Sequence, residues 1–353
     1  MPLSYTWHCP SNIALVKYWG KYGEQFPRNA SVSFTLGNAY TETTLSCLPL
    51  TTRPIPGEVA MTFRFDGQIN TAFAAKIQAY LNKMATFLPF LLQHAWHIET
   101  CNSFPHSSGI ASSASAMGAL ALCLCSAARA QYGYFADDAD FWATASKLAR
   151  LGSGSACRSI YGQAAVWGTC RLANSSNEYA LPFGDYLHPS VRHYRDTILI
   201  VSRAEKSVSS RAGHALMEGN PYAPIRYAQA TQHLDDMLYA LEGGDFDRII
   251  AIAEAEALAL HALMMTSVPS YMLMRPATLH IIEKIRQFRT DTQLPVCFTL
   301  DAGPNVHVLY PKQAEAAIQP FVNSELLPLC ENGYHISDQA SDGPYSPVAN
   351  SVF

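Results

Sequence analysis

The chain has 353 residues, 49% of them hydrophobic and 15% charged, which is ample for a packed core and excludes a disordered chain. Lys and Arg number 24 against 28 Asp and Glu, a net charge of −4, so no basic surplus points to nucleic acid and any bound anion needs a local cluster of cations. The length suits about two domains, no apolar run approaches the roughly 18 residues of a membrane span, and the opening MPLSYTWHCPSN lacks the basic and apolar regions of a signal peptide.

Ala30–Leu45 alternates apolar residues with Ser and Thr, predicting a strand, a turn at Gly37–Asn38 and a second strand. Met61–Phe65 before Asp66–Gly67 predicts a hairpin, Thr71–Leu92 a helix and His97–Cys101 a short strand. From Ala111 to Ala130 nearly every residue is Ala, Ser, Leu, Met or Cys, which predicts a deeply buried helix. A second helix is expected over Asp137–Leu151, broken by Gly152–Ser155, then a short helix at Ala156–Tyr161 and a strand at Ala164–Trp167. Nine cysteines, none at zinc-finger spacing, predict reduced and mostly buried thiols in a cytosolic protein.

The loop-like stretch Leu181–Ser190, with Pro182, Gly184 and Pro189, predicts a boundary between lobes at 1–188 and 189–353. Beyond it we expect a strand at Thr197–Val201 and helices at Tyr222–Glu242, Phe246–Leu263 and Pro276–Thr290. A hairpin of Val296–Leu300 and Val306–Tyr310 around AGPN and a helix at Lys312–Phe321 follow, and the polar tail from Glu331 is expected to pack loosely. The pattern is α+β: a strand-rich N-terminal lobe with a buried helix, then a β/α C-terminal lobe.

Five segments carry chemistry. Pro105–Ala114, PHSSGIASSA, runs a glycine- and hydroxyl-rich loop into a helix start, whose free N–H groups and positive dipole end suit a phosphate. Ser112 and Ser113 can cap that helix, bind phosphate oxygens or hold Mg²⁺, and the same residues also suit a plain Ser-capped helix. Asn12–Lys21, NIALVKYWGK, delivers Lys17, Tyr18, Trp19 and Lys21 together, as a cationic wall or as solvated lysines at a strand end. Gly152–Ser159, GSGSACRS, allows close backbone approach and offers the planar fork of Arg158 to a carboxylate or phosphate. Leu300–Asn305, LDAGPN, presents Asp301 at a hairpin mouth, either as a base or as a turn former. Lys206–Gly213, KSVSSRAG, groups Lys206, Ser209, Ser210 and Arg211, again readable as a solvated loop. The histidines lack H-E-x-x-H spacing and no serine sits in G-x-S-x-G, so neither a His-built metal site nor a hydrolase triad is predicted.

The stretch P-x-x-x-G-I-x-S-S-A is similar to the phosphate loop of the GHMP kinase superfamily. Together with NIALVKYWGK, NASVSFTL, RLGSGSACRSIYG, the K-x-V-S-S-R-x-G run, L-H-A and TLDAGPNV, in this order over residues 5–325, it resembles the mevalonate diphosphate decarboxylase family. The resemblance implies a two-lobe GHMP kinase-like fold with the active site in the cleft, and ATP and Mg²⁺ as cofactors. It implies phosphorylation of the 3-hydroxyl of mevalonate 5-diphosphate, then departure of phosphate and CO₂.

By this resemblance Asp301, Lys17 and Arg158 are the catalytic residues. Asp301 contacts the hydroxyl, Lys17 offsets charge on the transferred phosphoryl group and Arg158 pairs with the substrate carboxylate. Asn12 orients the arginine; Tyr18, Lys21, Ser155, Ser210 and Arg211 bind substrate, the first two and last two at its diphosphate. Pro105, Ser107, Ser108, Gly109, Ile110, Ala111, Ser112 and Ser113 line the nucleotide, with Ser113 near the metal. The implied protein is a cytoplasmic homodimer acting on a small molecule, without nucleic acid or membrane. The segment departs from the family's usual loop at His106, Ser107 and Ser108, and at Arg28 and Ala30. Alternatives are a phosphomevalonate decarboxylase, a mevalonate kinase-type enzyme that does not decarboxylate, and a non-catalytic ligand-binding homologue.

Overall fold

A computed structural model describes residues 3–50, 55–104, 110–204 and 206–347. The N-terminal half is organised on two long antiparallel strands, β1 (Ser4–Val16) and β4 (Ser31–Leu48), with the small ribbon β2 (Lys21–Tyr22) and β3 (Phe26–Pro27) between them. β1 alternates buried and half-buried residues up to Cys9 and is buried throughout beyond it. The change marks where the strand passes from a one-faced sheet to a position covered on both sides.

β4 does not fold back at Gly37–Asn38 as predicted. Its register to β1 jumps from Tyr40 opposite Pro10 to Thr35 opposite Asn12, so Leu36–Ala39 bulge out of one continuous strand. The Asp338 carboxylate accepts the N–H groups of Gly37 (2.7 Å), Asn38 (2.9 Å) and Ala39 (2.7 Å). A remote acid thus supplies what a hairpin partner would have supplied. The predicted hairpin after Met61 goes no further than the turn, where Phe65 and Gln68 exchange backbone hydrogen bonds (2.9 Å each). β5 (Ala60–Phe65) lies parallel to β6 (Ala95–Asn102), with α1 (Thr71–Met84) crossing between them, because parallel neighbours need a crossover. α1 ends before Leu92: Pro89 carries no N–H and opens a separate 3₁₀ turn, Pro89–Gln93.

The buried helix α2 (Ser112–Tyr132) runs through the middle of this half and stops at Gly133 in the left-handed region, φ 64°. By length and composition it could cross a bilayer, contrary to the sequence expectation, yet 78% of its most apolar window is buried inside the protein. Small residues bring it close to β1; a Cβ at Gly118 would collide with Cys9 Sγ. α3 (Asp138–Gly152), capped by Asp137 on the Asp140 N–H, leads into a 3₁₀ turn, Gly154–Ile160. β7 (Ala164–Trp167) and β8 (Ala180–Pro182) complete the sheet.

The C-terminal half starts with β9 (Arg195–Leu199), followed by α4 (Ser210–Ala215), α5 (Ala223–Gly243), α6 (Phe246–Met265) and α7 (Pro276–Thr292). The hairpin β10 (Cys297–Thr299) and β11 (Val306–Tyr310), then α8 (Glu315–Phe321), come next. The tail is not loose. His335–Gln339 forms β12, pairs with β9 and gives the antiparallel order β10-β11-β9-β12, and Tyr345 exchanges backbone hydrogen bonds with His8 (2.9 and 3.0 Å).

One apolar cluster fills the N-terminal half around α2 and another the C-terminal half around α7 and β10. Between them Ile13, Leu15, Val32 and Phe34 pack with Leu234, Leu238 and Ala253 of α5 and α6. That shared core sets the end of β1 against the C-terminal lobe, the α+β two-lobe arrangement expected. All nine cysteines are free, six of them buried.

Candidate active site

β1 ends at Val16, and the next residue, Lys17, turns into the junction between the lobes. Its side chain is only 2% exposed. Nζ donates to Asp301 Oδ1 (2.9 Å) and to the Ala14 carbonyl (2.6 Å). Asp301 follows β10 in the turn before β11, 26% exposed, with its carbonyl 2.7 Å from the Gly303 N–H and 3.1 Å from His261 Nε2. A rigid turn and a buried imidazole therefore fix where the carboxylate points. Burial pushes the Asp301 carboxyl upward, but Lys17, His307 and Lys206 outweigh it and hold it below its ordinary value. Burial lowers the Lys17 ammonium, with Asp301 opposing the shift. His261 is held down to about 4, chiefly by burial, so it is neutral near pH 7.

Lys17 is anchored by its backbone as well. Glu256, fully buried on α6, accepts the Lys17 N–H (2.8 Å) and Arg226 Nη2 (2.6 Å) on one oxygen and meets His233 Nδ1 (2.8 Å) with the other. Asn29 Nδ2 donates to the Lys17 carbonyl at 3.0 Å.

Arg158 rises from the 3₁₀ turn after α3. It donates Nε–H to Ser33 Oγ (3.0 Å), Nη1–H to Ser31 Oγ (2.6 Å) and Nη2–H to Asn12 Oδ1 (3.2 Å). Asn12 is held in turn by donating to Ser159 Oγ (2.8 Å) and the Ser155 carbonyl (3.2 Å). The guanidinium is 2% exposed, yet all three acceptors are neutral. Burying a cation this way is costly unless an anion arrives, and the fork's remaining N–H groups suit a carboxylate.

A second group lies beyond Lys17. Tyr18 meets Trp167 edge-on (4.8 Å) and lies tilted against His214 (4.5 Å), and only a glycine fits beneath it, since a Cβ at Gly154 would lie 2.8 Å from its hydroxyl. Lys21 donates to Gln25 Oε1 (2.8 Å), and burial and the charge of Arg211 lower its ammonium. Ser210 and Arg211 open α4 and are exposed; the cap of that helix is Ser209, which accepts the Ala212 N–H (3.2 Å).

Of the nucleotide-loop residues singled out in the sequence, Pro105, Ser107, Ser108 and Gly109, with His106, lie outside the described residues. Ile110 is a core residue whose carbonyl accepts Ser11 Oγ–H at 2.7 Å. Ser112 and Ser113 do not cap α2. The capping position is Ala111, left-handed at φ 43° with no side-chain bond among the described residues, and its carbonyl accepts the Ala114 N–H (2.7 Å). Ser113 is exposed, its Oγ 3.1 Å from Ser153 Oγ.

The structure thus joins Asn12, Lys17, Arg158 and Asp301 in one group and Tyr18, Lys21 and Arg211 in another. Lys206 turns toward Asp301 rather than staying in a solvated loop, and burial depresses its ammonium. Sequence reasoning missed Ser31, Ser33, Glu256, Arg226, His261 and His307. A signal existed for some of them. Ser31 and Ser33 put polar groups on one buried face of an apolar strand, and Glu256 is an acid inside the apolar run AIAEAEALALHALMM.

Residues 9–178 match the family model of the diphosphomevalonate decarboxylase-like N-terminal domain, and residues 197–346 match that of the mevalonate 5-diphosphate decarboxylase C-terminal domain. The diphosphomevalonate decarboxylase of Eremothecium gossypii is 29% identical over 333 residues, covering 89% of this chain and 79% of its own length. The crystal structure of mevalonate diphosphate decarboxylase from Staphylococcus aureus superposes with a TM-score of 0.81 at 30% identity, covering 99% of each chain. A structure of MDDEF in complex with MVAPP, AMPPCP and magnesium gives a TM-score of 0.81 at 28% identity, over 98% of this chain and 99% of that one.

Proposed function

The chain belongs to the diphosphomevalonate decarboxylase family, and on that premise we propose that it uses ATP to convert mevalonate 5-diphosphate into isopentenyl diphosphate, phosphate and CO₂, a step of isoprenoid synthesis. The observation that carries the reading is a buried guanidinium, Arg158, whose hydrogen-bond partners among the described residues are all neutral, beside the Lys17–Asp301 pair with Nζ 2.9 Å from Oδ1. A carboxylate-bearing alcohol completes such a site: Arg158 takes the carboxylate and Asp301 meets the hydroxyl carbon.

Asp301, held below its ordinary pKa by surrounding cations, is a weak base in the resting site. It accepts the hydroxyl proton as the oxygen becomes phosphorylated, and its lasting role is to stabilise positive charge developing at the tertiary carbon. Lys17 and Lys206 supply positive charge on the phosphoryl side. Electron withdrawal toward that carbon draws the bonding pair from the carboxylate, which leaves as CO₂. The first turn of α2 and the hydroxyls of Ser113 and Ser153 fit a nucleotide's phosphates and Mg²⁺. Bound MgATP supplies the phosphoryl group that makes the hydroxyl a leaving group. Tyr18, Lys21, Ser210 and Arg211 hold the 5-diphosphate. The reading includes a homodimer, which sedimentation checks, and a cytoplasmic location, which the nine free thiols favour.

The test is CO₂ release from mevalonate, its 5-phosphate and its 5-diphosphate with MgATP. Release from the 5-diphosphate is expected. ATP consumption without CO₂, or CO₂ from the monophosphate alone, would overturn the reading.

A further inference from the structure

His214 sits on α4 against the loop that follows Lys17. Its Nδ1 accepts the Gly20 N–H at 3.0 Å. An imidazole nitrogen that accepts carries no proton, so in the neutral ring the proton resides on Nε2. The ring is clamped between Tyr18 (4.5 Å) and Trp19 (4.4 Å) and only partly covered. Burial, reinforced by Lys21, depresses its pKa to about 3, which keeps it neutral across the working range. The tautomer and orientation are therefore both set, and the Nε2–H meets no protein acceptor among the described residues.

Beyond Gln25 Oε1, which accepts from Lys21, the surroundings offer no carboxylate among the described residues. The Tyr18 hydroxyl, the Arg211 guanidinium and the His214 Nε2–H have no hydrogen-bond partner among the described residues, and neither Lys21 nor Arg211 pairs with a carboxylate there. A corner with two cations and two neutral donors and no anion of its own is shaped for a ligand with several acceptor oxygens.

We infer that His214 is a neutral donor of the diphosphate site, giving its Nε2–H to a phosphate oxygen and thereby favouring the 5-diphosphate over the 5-monophosphate. The inference rests on the reading of Tyr18, Lys21 and Arg211 as the anion-holding group. Because the donor is uncharged, it adds direction without adding to the repulsion between Lys21 and Arg211.

Two substitutions separate the ring's two nitrogens. His214→Asn keeps an acceptor for the Gly20 N–H and removes the distal donor. His214→Gln carries a donor to the Nε2 position and gives up the acceptor. In the full-length protein, His214→Asn is expected to weaken binding of inorganic diphosphate, read by calorimetric titration, about tenfold and to raise KM for mevalonate 5-diphosphate by a similar factor. kcat should stay within about twofold, as fits one hydrogen bond to a charged oxygen. His214→Gln should recover most of that loss. Equal losses in both variants would reduce His214 to a structural prop and overturn the inference, as would wild-type diphosphate affinity in the Asn variant. Failure of the decarboxylase reading is seen separately, as wild-type protein that releases no CO₂ while its inorganic diphosphate titration still reports on this corner.

Discussion

Around Lys17 each charge meets another charge of the same chain. Asp301 takes the ammonium, and Glu256 takes the backbone N–H together with Arg226 and His233. One residue further on, around Tyr18, Lys21 and Arg211 meet no carboxylate among the described residues, and the donors of Tyr18 and His214 point at no protein acceptor. The charges of the first region are matched before any ligand arrives; those of the second are matched by one. The contrast separates groups that must be held still for chemistry, where preorganised charge is worth most, from groups that recognise, where affinity comes from donors kept ready for a partner. Arg158 stands between the two: fixed on three sides by neutral acceptors, it still lacks its counter-charge.

The contrast is broken most severely at its centre. Asp301→Asn should lower turnover about 10²- to 10⁴-fold with KM nearly unchanged, measured by CO₂ release. The same variant removes the charge that opposes burial of Lys17, so the Lys17 ammonium should lose its proton at still lower pH, visible by NMR of labelled lysine. The linkage has a definite sign. The folded Asp301 carboxyl lies below its ordinary value, so the stability it contributes is present above about pH 3.9 and fades as pH falls through the depressed folded value. The stability gap between wild type and Asp301→Asn should therefore close on acidification.

Glu256→Ala leaves Arg226 buried without its anion and should cost about 3–5 kcal/mol in denaturant unfolding. A loss below about 1 kcal/mol would show that the buried network does not anchor Lys17. Arg158→Lys replaces the fork by a point charge and should reduce kcat/KM roughly 10- to 100-fold; equal activity would refute carboxylate pairing. The smallest effect belongs to the recognition side. Tyr18→Phe removes one neutral donor and should raise KM only a few-fold, with kcat kept.

Much of this contrast was legible in the residue order. Lys17, Asp301 and Arg158 stand out in three short segments, with their roles implied by the family resemblance, and α2, α3, α5, α6 and α7 lie within a few residues of expectation because their apolar periodicity is local, whereas α1 stops well short of Leu92. What escaped is non-local. The bulge in β4 looked like a turn because Gly37–Asn38 has turn chemistry, and nothing near it announces that Asp338 will hold it open. The false hairpin after Phe65 has the same cause: Asp66–Gly67 does turn the chain, but the partner of β5 is β6, across a helix. Glu256 was passed over because a helix read for its apolar face hides an acid whose partners come from β1 and α5. Of the roles open to Ser112 and Ser113, capping is the one the structure removes, because the backbone places Ala111 at the cap.

The Asp338 contact to the bulge has a consequence for how the protein is made. The carboxylate that accepts from Gly37, Asn38 and Ala39 lies 301 residues after Gly37. At about 5–20 residues per second of synthesis, β4 waits roughly 15–60 s for the acid that closes it. Over that interval three neighbouring amides of a long strand lack that acceptor and stand open to water or to another nascent strand. The bulge in β4 therefore gains its last backbone partners only once β12 of the C-terminal lobe has been made.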